Sequence, residues 1–93
     1  MEIKQIRNDH KGYFAALDEE KEAGRITYTS PGNNKMILDH TEVNPEYRGK
    51  KIGNIILTFI VDYARRNDLK IIPLCPFAKS VFDKDESIRD VLI

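Results

Sequence analysis

The chain has 93 residues, 41% of them hydrophobic, with lysine plus arginine at 15 balanced by aspartate plus glutamate at 15. That length makes room for one domain, residues 1–93, with one modest core, and a zero formal charge supplies no global field toward nucleic acid or an anionic membrane. No apolar run reaches bilayer length, the start Met1-Glu2-Ile3-Lys4-Gln5 lacks a signal-peptide pattern, and the lone Cys75 has no internal partner for a disulfide. Together these point to a cytoplasmic, soluble protein whose anion site, if it has one, is local.

Ile3 to Arg7 is short and β-compatible, and Tyr13 to Leu17 and Ala23 to Thr29 flank the charged turn Asp18-Glu19-Glu20-Lys21-Glu22 as a hairpin. Ser30-Pro31-Gly32-Asn33-Asn34 is a dense turn signal, after which Lys35 to Val43 reads as a central strand that turns polar toward its end. Asn44-Pro45 stops it, because proline has no amide to donate to a ladder. The period then changes. Ile52, Ile55, Ile56, Phe59, Ile60 and Tyr63 recur three and four apart, which predicts an amphipathic helix to about Asn67 with those six residues facing the core.

Leu69 to Leu74 reads as a second buried strand, and a strand, helix, strand succession of this kind joins parallel neighbours by a right-handed crossover. Pro76 suits the first position of a second helix to about Lys84 with Phe77, Val81 and Phe82 inward, and Glu86 to Ile93 reads as a short helical tail. The expected architecture is α+β, a mixed and mostly antiparallel sheet with a parallel strand-helix-strand unit and one main helix.

The segment Val43-Asn44-Pro45-Glu46-Tyr47-Arg48-Gly49-Lys50-Lys51-Ile52-Gly53 carries the chain from the central strand into the main helix. Unpaired amides and the positive dipole end at a helix start favour a diphosphate, and Arg48, Lys50 and Lys51 add charge there. These residues resemble motif A of the GNAT N-acetyltransferase superfamily, whose pattern is Gln or Arg, two residues, Gly, one residue, then Gly or Ala. Arg48 fills the first place and Gly53 the last, while Gly49, Pro45, Tyr47 and Ile52 match the usual context. Lys51 departs from the pattern where the middle glycine is usual, and its Cβ is expected to press a diphosphate outward.

The resemblance covers roughly the C-terminal two-thirds and implies acetyl-CoA as cosubstrate, with no metal. It implies cofactor contacts from Val43, Arg48, Gly49, Lys50, Lys51, Ile52, Gly53 and Asn54, and pantetheine along the strand end at Glu42 and Val43. It also implies a truncated member. Only Asn8 to Gly12 separate the first strand from the hairpin, where ordinary members place one or two helices that wall the acceptor pocket. The segments His40-Thr41-Glu42-Val43 and Pro73-Leu74-Cys75-Pro76-Phe77 are similar to those of short GNAT-like acetyl-CoA-binding proteins.

Acetylating an amine requires its neutral form, so a base must take a proton. His40 and Glu42, two apart on one strand, share a face and are the candidates: the superfamily often draws a carboxylate from this strand, while an imidazole ordinarily titrates near neutrality. Otherwise Glu42 would pair with a basic neighbour and His40 would be a satisfied core histidine. Cys75 ends the second strand before Pro76, where a helix start favours a thiolate, and the resemblance turns this strand end toward the thioester. It is a candidate nucleophile or acid, since Tyr63 is the last tyrosine and the family's usual tyrosine acid has no counterpart. His10, Tyr13 and Tyr28 are read as packing or surface.

The leading function is acetyl-CoA binding with acetyl transfer to an amine or thiol; the alternative is a CoA or acyl-CoA sensor without turnover. A nucleic-acid module built on Arg48, Lys50, Lys51, Arg65 and Arg66 is disfavoured by the zero net charge and the lack of interleaved aromatics. A missing wall would be supplied by a second copy, as a homodimer, or by a protein acceptor.

Overall fold

The strand-forming first half of the chain folds as a meander. A computed structural model describes residues 1–93 and gives strands β1 (Glu2–Asn8), β2 (Lys11–Asp18), β3 (Lys21–Gly32) and β4 (Lys35–Val43), each antiparallel to the next. A 3₁₀ turn at Pro45–Tyr47 leads to helix α1 (Ile52–Arg66), which returns the chain to β5 (Lys70–Pro73), parallel to β4. Helix α2 (Pro76–Lys84) and a 3₁₀ segment Glu86–Val91 complete the chain, so strand order follows chain order across a five-stranded mixed sheet.

Turn chemistry fixes the meander. β1 passes to β2 through Asp9 and His10 alone, with Asp9 at φ 57°. β3 passes to β4 through Asn33 and Asn34, both left-handed at φ 56° and 58°, the backbone a tight hairpin demands. No helix intervenes in the first half.

The core lies between one face of the sheet and the helices. Phe14, Ile26, Leu38, Ile56, Ile60, Ile71 and Phe82 are fully or almost fully buried there. Phe14 is its aromatic centre, with ring centroids 5.3 Å from Tyr28, 5.4 Å from Tyr63 and 5.9 Å from Phe59. The buried arc of α1 is wider than the six-residue stripe expected: Ile52, Gly53, Ile56, Leu57, Ile60, Val61 and Ala64 are buried, while Ile55 is 40% exposed and Phe59 and Tyr63 are half-buried. The helix packs on β2, β3 and β4 on one side and meets α2 and the C-terminal segment on another, and that second contact turns the arc away from Ile55. On α2 the inward positions are Ala78 and Phe82, with Phe77 and Val81 at the margin.

The tail is tied down by polar contacts. Arg65 donates to both carboxylate oxygens of Asp90 at 2.7 and 3.0 Å and to the Ser87 carbonyl at 2.8 Å, while Leu92 bridges Ile71. No helix is long and apolar enough to cross a membrane.

Truncating Phe14 removes the ring on which three other aromatics converge. Phe14→Ala is expected to lower unfolding free energy by about 3–5 kcal/mol, a large share of the ~5–15 kcal/mol typical of domains. Urea denaturation checks this; a loss below about 1 kcal/mol would mean that the cluster is not central to stability.

Candidate functional site

The site begins where the sheet parts. Pairing of β4 with β5 ends at Leu38 opposite Pro73, and the Leu38 carbonyl accepts amides from both Leu74 (3.0 Å) and Cys75 (3.1 Å). Beyond that point β4 runs on to Val43 with β3 on one side and no strand on the other. Parallel strands that splay in this way leave backbone groups of the longer strand free to bond a ligand.

A bulge falls at the same place. Thr27 pairs with His40 and Tyr28 with Leu38, so Asp39 has no partner across the ladder. The extra residue turns both Asp39 and His40 to the face away from α1, while Thr41, paired with the buried Ile26, faces the helices. His40 and Glu42 therefore share the outer face, as their spacing predicts, and both are exposed. His40 is thus not a core histidine. Glu42 has no ion-pair partner: Arg25, its cross-strand neighbour, forks onto Glu22 at 2.7 and 2.8 Å, and that carboxylate, with a smaller push from Glu42, holds the guanidinium above its ordinary value. Arg25 also lies 3.8 Å over the Tyr13 ring.

Cys75 stands at the N-cap position of α2 without a side-chain capping bond and is buried, with Sγ 3.3 Å from the Thr41 hydroxyl. The three candidates for chemistry are thus divided: His40 and Glu42 lie on the outer face, whereas Cys75 lies beside Thr41 at the gap between the strands. Sequence spacing alone does not bring Thr41 to Cys75; the strand parting does.

The loop after β4 is stapled to the β2–β3 turn. Asn44 donates its backbone amide to Ala23 (2.9 Å) and its side-chain amide to Glu22 (3.3 Å), and its Oδ1 accepts from Glu46. Glu46 pairs with Lys21, and the Tyr47 hydroxyl donates to Asp18 at 2.7 Å. Gly24 permits the close approach: a Cβ there would lie 2.8 Å from the Glu42 carbonyl and 2.9 Å from Ile52.

At the start of α1 no side chain caps the helix, so the amides of Ile52, Gly53 and Asn54 have no hydrogen-bond partner within the chain. Arg48, Lys50 and Lys51 are exposed and take no part in the five ion pairs of the chain. Gly49 has φ 82°, and Lys51, at φ 58° and ψ 37°, is left-handed. Glycine is usual at the latter position because the backbone is left-handed there, and lysine keeps that backbone at the cost of strain. Gly53 serves packing: a Cβ would meet the Phe77 ring at 2.8 Å.

Two clefts meet these elements. One, of about 490 Å³, runs from Thr41 and Val43 past Arg48 and Lys51 to Asn54, with Phe77 as its far wall. The other, of about 860 Å³, lies on the outer face over Ile6, Tyr13, Thr27, Asp39 and His40 and is rimmed by Leu74. Val43, Arg48, Gly49, Lys51, Ile52, Gly53 and Asn54 line the first; Lys50 stands beside it with its ammonium 5.4 Å from the Tyr47 ring, and Glu42 lines neither.

Residues 12–91 match the family model of the GCN5-related N-acetyltransferases. The chain belongs to that family. A GCN5-like protein of Staphylococcus aureus, assigned as an N-acetyltransferase and solved by NMR, is 37% identical over 97% of this chain and 87% of its own, with a TM-score of 0.71. The ribosomal-protein-alanine N-acetyltransferase of Brucella melitensis biovar Abortus 2308 shares the fold at 16% identity and a TM-score of 0.70, over 83% of this chain and 62% of its own. AAC(6')-Iy, solved with the bisubstrate analogue CoA-S-monomethyl-acetylneamine, shares it at 12% identity and a TM-score of 0.56, over 87% and 62%. This GNAT chain thus spans less than two thirds of those two larger relatives. No curated protein matches it.

Two outcomes follow from the loop. Replacing left-handed Lys51 by glycine is expected to raise unfolding free energy by about 1 kcal/mol, read as a shift of the urea midpoint; an unchanged or lower midpoint would show that the position carries no strain. The hydrogen bond to Asp18 pushes the Tyr47 phenol up from its ordinary 10 to about 12. The unfolded chain loses this proton first, so the contribution to stability is complete below pH ~10 and lost as pH rises through about 12. Tyr47→Phe is expected to flatten the alkaline fall in stability over that window, and identical slopes in mutant and wild type would remove the assignment.

Proposed function

We propose that this GNAT domain is an acetyl-CoA-dependent N-acetyltransferase. The observation that carries the reading is the continuity of the smaller cleft, from the unpaired end of β4 to three uncapped helix amides ringed by unpaired cations. The free edge of β4 at Thr41 to Val43 suits the amide groups of pantetheine, and the amides of Ile52, Gly53 and Asn54 with Arg48, Lys50 and Lys51 suit the diphosphate.

With the cosubstrate so oriented, its thioester end lies toward Thr41 and Cys75. His40 is the preferred base over Glu42, since it lines the outer cleft from which an acceptor would approach. His40 takes one proton from the ammonium, the neutral amine attacks the thioester carbon, and the C–N bond forms as the C–S bond breaks. The departing CoA thiolate takes the Cys75 thiol proton, and the second amine proton restores that thiol. The Thr41 hydroxyl holds the Cys75 side chain in place for this exchange. Nucleophilic relay through Cys75 uses the same geometry but leaves a covalent adduct.

The competing reading, a CoA-binding module without turnover, is favoured by the outer face, whose large cleft is lined by strand residues and Leu74 with no helix over it. Calorimetric titration with CoA, combined with intact mass spectrometry after incubation with acetyl-CoA, separates these readings. Stoichiometric CoA binding and transfer to an amine, slowed roughly 10²–10⁴-fold in Cys75→Ala, are the expected result. An acetyl adduct lost in the mutant would assign the relay, binding without transfer to any amine would assign the sensor, and no CoA binding would overturn the proposal.

A further inference from the structure

The outer cleft has features that its position beside the thioester does not require. Its floor is a single cross-strand row, Ile6, Tyr13, Thr27 and His40, each paired with the next. Four strands at about 4.8 Å spacing make a trough ~14 Å long. Its lining surface is mostly apolar, and it is open along its length and flanked by Leu74 at 64% exposure. A small amine would touch a fraction of this surface, whereas an extended polypeptide at ~3.3 Å per residue would cover it with about four residues.

The polar groups are placed with opposite signs. The bulge puts the Asp39 carboxylate next to His40 on the same face, where unbroken alternation would send the two to opposite faces. Thr29 donates to Asp39 Oδ2 at 2.8 Å and fixes its orientation, and no cation pairs with it. Lys11, paired with Thr29 two strands away from Asp39, lines the same cleft and has no ion-pair partner. Thr27 Oγ1, under the row, is the one buried side-chain polar atom in the chain without a hydrogen-bond partner; a turn about Cα–Cβ would offer it to a ligand.

We infer that this cleft is a peptide-binding site: the acceptor is a primary amine on an extended polypeptide, its ammonium held by Asp39 beside His40, with an acidic residue of the same segment directed to Lys11. The inference rests on the acetyltransferase reading. Asp39 binds the protonated amine, His40 removes the proton, and the remaining chemistry is unchanged.

The test compares acetylation of short synthetic peptides bearing one lysine flanked by glutamates or by arginines with that of n-butylamine, with CoA release as readout and CoA titration run in parallel. The glutamate-flanked peptide is expected to have the highest kcat/KM. Asp39→Asn should raise its KM about tenfold with a smaller effect on kcat, as expected for loss of a charge-assisted hydrogen bond, and CoA affinity should be unchanged. Lys11→Glu, at an exposed position, should shift preference toward the arginine-flanked peptide by about fivefold. Butylamine matching or exceeding the peptides, or a flank preference untouched by Lys11→Glu, overturns the inference while CoA binding and transfer persist. Loss of CoA binding in the wild type instead overturns the reading beneath it.

Discussion

One carbonyl oxygen ends the parallel pairing of β4 and β5. By accepting the amides of both Leu74 and Cys75, the Leu38 carbonyl turns the chain out of β5 one residue before the bulge at Asp39. A sheet paired along its full length would offer no unsatisfied backbone there, and burying such groups without partners is costly. The gap is therefore tolerable only because it is open to solvent or ligand, and the cleft and the Thr41 to Cys75 contact follow from it.

The loop beyond the gap is held from outside itself. Asn44, Glu46 and Tyr47 are each bonded to the β2–β3 turn or its flanks, so the uncapped start of α1 is presented by a rigid support. Gly24 and Gly53 contribute by absence: one lets the end of β4 and Ile52 come close to β3, the other lets Phe77 close on the helix start. Strain at Lys51 is sustained by the same support, since the staple and the helix on either side leave the backbone little choice.

Much of this was legible in the amino acids. β-Compatible runs and turn signals marked the four strands and one of their hairpins, the change of period at Ile52 marked α1, and Arg48 to Gly53 carried the family's motif. What escaped were features that depend on neighbours far along the chain. Leu38-Asp39-His40 contains no glycine to announce a bulge, Ile55 has the period of a core residue but lines an open cleft with Val81 and Ile88, and Thr41 meets Cys75 only after the strands part. Lys51 was visible as a departure from the motif, while its left-handed backbone, which explains the usual glycine, was not.

The direct passage from β1 to β2 through Asp9 and His10 also shapes how the chain reaches this state. With strand order equal to chain order, the first four strands assemble through hairpins between sequence neighbours, the local contacts associated with rapid folding. Only β5 must wait for a crossover, because a parallel strand cannot be reached by a tight turn. The junction that holds the cleft is therefore also the place where topology puts the largest loop-closure cost of the sheet.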